Sequence, residues 1–204
     1  MTNELYHHGD LKEALVDAAL RTMEAESLQA VTLRRLAREA GVSHAAPYHH
    51  FQDLDALMAA VAARGFSLLR AAIAGNPAGV ETDPFRRLQA AGKAYVIFAV
   101  SRPELFHLMF SGRWRDTKGY PQLKEEETLA FRALEEMMVG ATGPSDGSSQ
   151  ITAAARAAWA LVHGMATLLV DGRIDTPPNK DPVESAEQLT QEVMAVLGRG
   201  LRSL

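Results

Sequence analysis

Cysteine is absent from this sequence of 204 residues. Its absence excludes disulfide frameworks, Cys-ligated zinc or iron–sulfur sites and thiol nucleophiles, and it fits a reducing, cytoplasmic setting. Long apolar runs are absent too, because the longest comprises the eight residues 56–63, whereas a membrane-spanning helix needs roughly 20. The first ten residues are too polar for a signal peptide. We therefore expect no membrane partner and no export.

The sequence also lacks a basic excess and the common catalytic motifs. Its 21 Lys and Arg against 25 Asp and Glu give a net charge of -4, so the bulk charge points mildly against a nucleic-acid partner. The sequence contains no His-Glu-x-x-His pattern, Gly-x-Ser-x-Gly motif, P-loop or dinucleotide fingerprint. We therefore expect no enzymatic activity, no metal and no cofactor, and any DNA binding must come from local residues.

What the sequence does contain is helical periodicity. Apolar residues recur at spacings of three and four, and no stretch shows sustained alternation of apolar and polar residues, which predicts an all-α fold. The first helix is predicted over about Asp10 to Glu24, with Asp10 as its N-cap. Its buried stripe is predicted to consist of Leu11, Leu15, Ala18, Ala19 and Met23.

Residues 31–51 are typical of a helix-turn-helix. Thr32 is a natural N-cap for a helix over Leu33 to Ala40, Gly41 ends that helix, and Ser43 is predicted to cap a second helix that includes residues 44–51. Pro47 lies close enough to the first turn of this helix for its missing N–H to cost little. The second helix would enter a major groove about 12 Å wide. The predicted core of the motif comprises Val31, Leu36, Ala37, Ala40, Val42, Tyr48 and Phe51. An ordinary helical bundle is the alternative, since short amphipathic helices with a glycine between them occur there too.

The residues themselves carry a resemblance. The stretch TLRRLAREAGVSHAAPYHHF, residues 32–51, followed by QDLDAL, resembles the DNA-binding signature of the TetR family of transcriptional repressors. The resemblance implies that Thr32 and Tyr48 contact phosphates, that Arg34 and His44 reach base edges, and that His49 lies against the DNA backbone. One departure is Leu54, where the family often has a lysine that would meet a phosphate. The full set of predicted DNA-binding residues is Thr32, Arg34, Ser43, His44, Ala45, Tyr48 and His49.

The resemblance also implies two domains. A three-helix DNA-binding domain would occupy residues 1–52, and a helical domain for effector binding and dimerisation would occupy residues 53–204. Asp53 is predicted to cap a long helix that reaches about Ala74, and the glycines and prolines of residues 75–84 mark a break. Further helices are predicted at residues 84–101, 103–110, 121–139, 151–170 and 183–201.

The last two predicted helices suggest a homodimer. Between residues 151 and 170 the only formally charged residue is Arg156, and a helix that is apolar on nearly every side must be covered on nearly every side. The final helix adds an apolar stripe suited to a four-helix interface across a two-fold axis: Ala186, Leu189, Val193, Val196 and Leu197. A purely intrachain core is the alternative.

Trp159 and His163-Gly164 resemble the Trp-x-x-x-His-Gly feature of one C-terminal subgroup of the family. The spacing puts Trp159 and His163 on one helix face, and Gly164 would let another helix approach closely, so packing is the first interpretation and a role in an effector pocket the second. Aromatic and methionine residues often line sites for small, mostly apolar ligands, although they also fill ordinary cores. The candidate pocket residues are Tyr95, Phe98, Phe106, Met109, Phe110, Trp114, Phe131, Met138, Trp159 and His163.

Together these features predict a cytoplasmic transcriptional regulator. It would bind a palindromic double-stranded operator as a homodimer and would be released from it by a small, mostly apolar effector. A helical protein–protein adaptor is the alternative from another class, and an enzyme of unknown type is a weaker one.

Overall fold

The computed structural model describes residues 8–75, 83–114, 116–142, 149–176 and 179–201. Across these ranges the chain is helical and forms no strand, which confirms the all-α prediction. The α-helices are α1 (His8–Ala25), α2 (Leu33–Glu39), α3 (Leu54–Ala74), α4 (Pro84–Ser101), α5 (Pro103–Met109), α6 (Pro121–Thr142), α7 (Ser149–Val170) and α8 (Pro182–Leu201). Short 3₁₀ helices occupy Leu28–Ala30, Ala46–His49 and Gly112–Trp114.

The helices pack as two compact units. The first unit comprises the described residues of Met1–Gly65 together with Glu104–Glu126, and the second comprises those of Phe66–Pro103 and Glu127–Leu204. Helix α3 supplies residues to both units. The predicted boundary between a DNA-binding domain and an effector-binding domain, between residues 52 and 53, stays a prediction. The way the helices pack does not show which residues bind DNA or an effector.

The core of the first unit forms from α1, α2 and α3. The predicted stripe of α1 is buried at every position: Leu11, Leu15, Ala18, Ala19 and Met23. His8 and Gly9 already belong to α1, so Asp10 lies inside the helix and the prediction that it is the N-cap is wrong. Aspartate is favoured in the first turn of a helix as well as at the N-cap, because its charge suits the helix dipole, so its presence alone does not fix where the helix starts.

Residues 104–126 join the first unit through contacts that local sequence patterns do not encode. A Cβ atom on Gly65 would lie only 2.6 Å from the sulfur of Met109 and 3.0 Å from Leu105 Cδ1, so the missing side chain of α3 makes room for α5. Nearby, an Arg113 guanidinium nitrogen lies 3.6 Å from Asp55 Oδ1. Helix α3 is long and apolar enough to cross a membrane by length and composition alone, but more than half of that stretch is buried, as in the core helix of a folded protein.

Asp53 caps α3 as predicted. Its carboxylate oxygen Oδ1 accepts a hydrogen bond of 2.8 Å from the backbone N–H of Ala56. Helix α4 begins at Pro84 behind a second aspartate cap, Asp83, which accepts from Phe85 N–H at 2.9 Å. Helix α3 therefore ends just before Gly75 and α4 begins just after Asp83, as the predicted break requires. Residues 76–82 lie outside the described residues.

In the second unit, α4 packs against α7 and α8. Gly92 permits the close approach, because a Cβ atom there would lie 2.9 Å from Met194 Cε and 3.2 Å from Val162 Cγ1. The Lys93 ammonium also donates to Glu187 Oε1 of α8 at 2.7 Å. One face of α4 therefore lies in the interior of the second unit.

Candidate nucleic-acid interface

Both ends of α2 are fixed by the predicted residues. The Thr32 hydroxyl oxygen accepts from the N–H of Arg35 at 3.2 Å, which satisfies one of the orphan donors of the first turn. At the other end Gly41 has φ +67°, its N–H donates to the Arg38 carbonyl, and the N–H of Val42 donates to the Ala37 carbonyl. This pair of bonds is the Schellman arrangement, so the chain leaves α2 in a defined direction.

The second element of the motif differs from the prediction. Residues 46–49 form a 3₁₀ helix whose N-cap is Ala45, with no capping side chain, so the prediction of an α-helix over residues 44–51 capped by Ser43 is wrong. The reason is Pro47, which has no N–H to donate to the Ser43 carbonyl four residues earlier. That carbonyl accepts from Ala46 N–H at 3.0 Å instead, and the Ala45 carbonyl accepts from Tyr48 N–H at 3.1 Å, both of the tighter i to i+3 type.

The predicted DNA-binding residues all lie on the surface of the first unit. Two belong to the start of α2 and five to the segment of residues 43–49, and every one of their side chains is exposed: Thr32, Arg34, Ser43, His44, Ala45, Tyr48 and His49. Tyr48 is 55% exposed, so the prediction that it belongs to the core of the motif is wrong. Pro47 within this segment and Phe51 just after it are buried. Ala40 and Val42, also predicted as core, are half-buried.

Adjacent arginines of α2 have different roles. Arg35 donates to both carboxylate oxygens of Glu26, at 2.8 and 2.5 Å, and its Nε donates to Glu39 at 2.6 Å. The hydrogen bonds from Arg35 hold the pKa of Glu26 below its usual range. Arg34 is exposed and makes no ion pair with the described residues. The spacing of four between Arg35 and Glu39 was visible in the sequence. The bond to Glu26 depends on the path of the chain between α1 and α2, which the sequence does not show.

A second cluster of candidates lies in the second unit, where side chains of α4, α6 and α7 meet. The Tyr95 hydroxyl is 3.0 Å from His163 Nδ1. The ring centroids of Trp159 and His163 are 5.5 Å apart, and Phe131 meets Trp159 edge-on at 5.8 Å. This group, Tyr95, Phe131, Trp159 and His163, is called the aromatic cluster below.

The hydrogen bond between the Tyr95 hydroxyl and His163 Nδ1 joins two groups that can each donate or accept a proton. Burial raises the pKa of Tyr95 and lowers the pKa of His163, so both rings are favoured in their neutral forms.

The remaining pocket candidates do not join the aromatic cluster. Four of them, Phe106, Met109, Phe110 and Trp114, belong to the first unit. The rings of Phe106 and Phe110 pack in a tilted arrangement with centroids 5.0 Å apart, and the Trp114 indole donates to the Leu108 carbonyl at 2.6 Å. The side chain of Met138 lies outside the described residues.

The second unit also contains an open cleft that sequence reasoning missed. Its volume is about 450 Å³. Among the pocket candidates whose side chains are described, Phe98 is the only one that lines it. The described lining comprises Ala72, Gly75, Ala90, Lys93, Ala94, Ile97, Phe98, Ser101 and Arg102. Small residues at spacings of three and four on α4 were the available signal, but alanine is so frequent in this chain that the pattern does not stand out.

Part of α7 and α8 is apolar and uncovered. Leu168 is 46% exposed and Val196 is 61% exposed. A Cβ atom on Gly164 would meet no described atom within 4 Å, so the expected close approach of another helix is not made within the described part of this chain.

Comparison with known proteins identifies the family. Residues 15–61 match the model of bacterial regulatory proteins of the tetR family, and residues 88–193 match the model of the tetracyclin repressor-like C-terminal domain. The chain belongs to the tetR family. A solved structure of a protein with unknown function from Rhodococcus sp. RHA1 is similar over the whole length, with 33% identity, 95% of this chain and 98% of that chain covered, and a TM-score of 0.75.

More distant solved structures share the fold. The fatty acid degradation regulator FadR from Bacillus halodurans has 14% identity, covers 92% of this chain and 98% of its own, and gives a TM-score of 0.68. The TetR family transcriptional regulator PfmR from Thermus thermophilus has 18% identity, covers 89% and 97%, and gives 0.59. A comparison with curated proteins gives no match. Members of the tetR family are DNA-binding transcription factors rather than enzymes, and this protein is a transcriptional regulator.

Proposed function

We propose that the protein is a ligand-released repressor that binds a palindromic operator as a homodimer. The observation that supports this most directly is the exposed set of polar side chains at the start of α2 and along residues 43–49. These two segments are held together by the turn at Gly41 and anchored by buried Phe51. A surface that presents hydroxyl, imidazole and guanidinium groups on a rigid support suits the edges and phosphates of a DNA groove.

Within this surface we assign base contacts to Arg34 and His44 and phosphate contacts to Thr32 and Tyr48. Arg34 suits a base contact because its guanidinium is exposed while Arg35 beside it is engaged by two carboxylates. His49 would lie against the DNA backbone, and Ser43 and Ala45 would face the groove, where the alanine methyl can meet a thymine methyl.

The homodimer is supported by the apolar surface of α7 and α8. Exposed Leu168 and Val196, with the open space beside Gly164, offer a face that a second copy of the chain can cover. Two helices from each subunit would form a four-helix interface across a two-fold axis. A symmetric dimer in turn explains why the operator would be palindromic.

The effector would be a small, mostly apolar molecule that binds in the second unit. The aromatic cluster and Phe98 supply apolar surface there, and we place the chain in the subgroup with the Trp-x-x-x-His-Gly feature on the basis of Trp159, His163 and Gly164. A regulator of chromosomal operators works where the DNA is, so we place the protein in the cytoplasm.

The test is selection of operator DNA by the purified full chain, followed by substitution of the proposed base contacts. We expect a palindromic site to be enriched. Arg34→Ala and His44→Ala should each then cost about 1–3 kcal/mol on that site and little on random DNA. Arg132→Ala, an exposed arginine of α6, is the matched control. Enrichment of no palindrome would overturn the proposal, and equal losses on random DNA would reassign both residues to phosphates.

A further inference from the structure

The cleft of the second unit, with a volume of about 450 Å³, has room for a small molecule. Binding sites for small molecules commonly have volumes of roughly 300–1,000 Å³. The space exists because small residues line it, Ala72 and Gly75 at the end of α3 and Ala90 and Ala94 on α4. Every described residue of the lining belongs to the second unit.

The walls of the cleft are mostly apolar. Ile97 and Phe98 supply the larger apolar side chains, and the alanines supply methyl groups. A charged group that leaves water for such walls loses hydration, which costs free energy unless the site provides a partner for the charge. Whether the cleft suits a charged or an uncharged ligand therefore depends on the two charged residues that line it, Lys93 and Arg102.

Both of these cations are engaged by the protein itself. The Lys93 ammonium donates to Glu187 Oε1 at 2.7 Å, so a carboxylate of the protein offsets its charge. The Arg102 guanidinium carbon lies 5.6 Å from the centroid of the Phe98 ring, and Arg102 makes a further interaction within the protein. Arg102 is also the C-cap residue of α4, where a positive charge suits the last carbonyls of the helix.

The lining therefore favours neither sign of charge on a ligand. A carboxylate beside Lys93 would also lie near the Glu187 carboxylate, so repulsion would offset much of its attraction to the ammonium. An ammonium group would lie among the side chains of Lys93 and Arg102, which carry the same charge. An uncharged ligand avoids both repulsions and the cost of desolvating a charge.

Lys93 can still make one polar contact with an uncharged ligand. An ammonium has three N–H donors and no acceptor, and Lys93 gives one of them to Glu187. Another can donate to a carbonyl oxygen without breaking the ion pair. Ala90 and Ile97, three residues before and four residues after Lys93, lie on the same face of α4 and continue the site with apolar surface.

We propose that the cleft between α3 and α4 binds an uncharged, mostly apolar molecule that carries a carbonyl group, such as a ketone or an ester. The carbonyl oxygen accepts from Lys93, and the apolar body lies along Ala90, Ala94 and Ile97. Binding at this cleft depends only on the second unit. Identifying this molecule as the effector rests on the proposed function as a ligand-released repressor.

Calorimetric titration of the full chain with matched probes tests the ligand class. Octan-2-one, octanoate and octylamine have chains of the same length and differ in charge, and 4-phenylbutan-2-one, 4-phenylbutyrate and 4-phenylbutylamine repeat the comparison on a ring. We expect each ketone to bind about tenfold more tightly than its carboxylate and its amine. A carboxylate or an amine that binds as tightly as its ketone in either series would overturn the proposal, and so would the absence of binding by both ketones.

A variant of the partner of Lys93 tests the balance of charge. Glu187→Gln removes the carboxylate that offsets the ammonium, so octanoate should bind about tenfold more tightly to this variant, while octan-2-one should change little. Glu184→Gln, at an exposed glutamate of the same helix, is the matched control and should leave both affinities unchanged. Equal octanoate affinities for Glu187→Gln and the parent chain would refute the placement of the ligand's polar group at Lys93.

Variants within α4 test the position. Lys93→Met keeps the length of the side chain and removes its donors, so it should weaken octan-2-one binding about fivefold, whereas Arg87→Gln, at an exposed arginine of the same helix, should leave it unchanged. Ala94→Leu should weaken every probe by filling the cleft, with Ala90→Leu as the second variant if the first does not fold. Octan-2-one binding that Lys93→Met leaves unchanged would refute the carbonyl contact, and binding that the leucine variant leaves unchanged would refute the location.

A DNA arm separates the two proposals. Octan-2-one that binds the cleft without releasing operator would leave the site standing and remove only its assignment as the effector site. A chain that binds no operator at all would refute the proposed function, while the titrations would still decide whether the cleft takes an uncharged carbonyl compound.

Discussion

At the scale of single residues, neighbours in the sequence serve different purposes. Arg34 and Arg35 are chemically identical and adjacent, yet one is exposed and the other is held by Glu26 and Glu39. Exposed ion pairs contribute little to stability unless the geometry is bidentate or several charges form a network. Arg35 meets both conditions, because it bonds both oxygens of Glu26 and also reaches Glu39.

This contrast predicts opposite effects of the same substitution at the two positions. Arg35→Gln should lower the melting temperature of the full chain, because it removes the network that ties α2 to the end of α1. Arg34→Gln should leave the melting temperature unchanged and weaken operator binding. Arg35→Lys should restore the melting temperature only in part, since an ammonium cannot bridge both carboxylate oxygens as a planar guanidinium does. An unchanged melting temperature for Arg35→Gln would contradict this division of roles.

The pKa of His163 predicts a pH dependence of stability. Burial lowers this pKa in the folded state, whereas the unfolded chain has the ordinary value of 6.5. The unfolded state then binds more protons as the pH falls below 6.5, so the free energy of unfolding should decrease from there until the folded pKa is reached. Thermal unfolding between pH 7.5 and pH 5 should show a smaller decrease for His163→Gln than for the parent chain. His107→Gln, at an exposed histidine, is the control and should follow the parent.

At the scale of elements, proline and glycine determine the shape of the motif. Pro47 converts an expected α-helical segment into a 3₁₀ turn by withholding one N–H, and Gly41 adopts the positive φ that the turn after α2 requires. Both residues act through the conformation and hydrogen bonds of the backbone rather than through contacts of their side chains. A segment that is only one turn long therefore depends on its flanking residues for its orientation.

Substitution of Gly41 should reveal this dependence. No described atom lies within 4 Å of a Cβ at Gly41, so the cost of Gly41→Ala comes from the left-handed backbone alone and should be about 1 kcal/mol of unfolding free energy. Gly41→Asn should cost less, because asparagine tolerates this conformation better. Gly119→Ala, at another open glycine whose φ is not in the left-handed region, is the matched control and should be close to neutral. Equal costs for Gly41→Ala and Gly119→Ala, measured by chemical denaturation, would contradict the strain argument.

At the scale of the whole molecule, exposed apolar residues on α7 and α8 predict self-association. Leu168→Glu and Val196→Glu place a charge where the single chain is solvated, so each should change the stability of that chain by little, within about 0.5 kcal/mol. In a dimer the same charges would be buried without a partner, which is costly. Sedimentation should therefore show a dimer for the parent chain and a monomer for these variants, with unchanged helix content.

Gln191→Glu, an exposed polar position of α8, controls for added negative charge and should remain dimeric. A parent chain that sediments as a monomer at micromolar concentration would contradict the predicted interface.

The sequence by itself determined most of the α-helices and the caps at Thr32 and Asp53, whereas the caps predicted at Asp10 and Ser43 and the α-helix predicted over residues 44–51 were wrong. Periodicity placed the stripe of α1, and the side chains of Thr32 and Asp53 fixed helix starts, because these effects act over three or four residues. Only the tertiary structure decided which distant elements meet. It paired Arg35 with Glu26, brought α5 against Gly65, and opened the cleft beside Arg102, all of which depend on contacts between residues far apart in the chain. Such contacts depend on how side chains of different sizes pack against one another in three dimensions. A local pattern of residue types does not encode this packing.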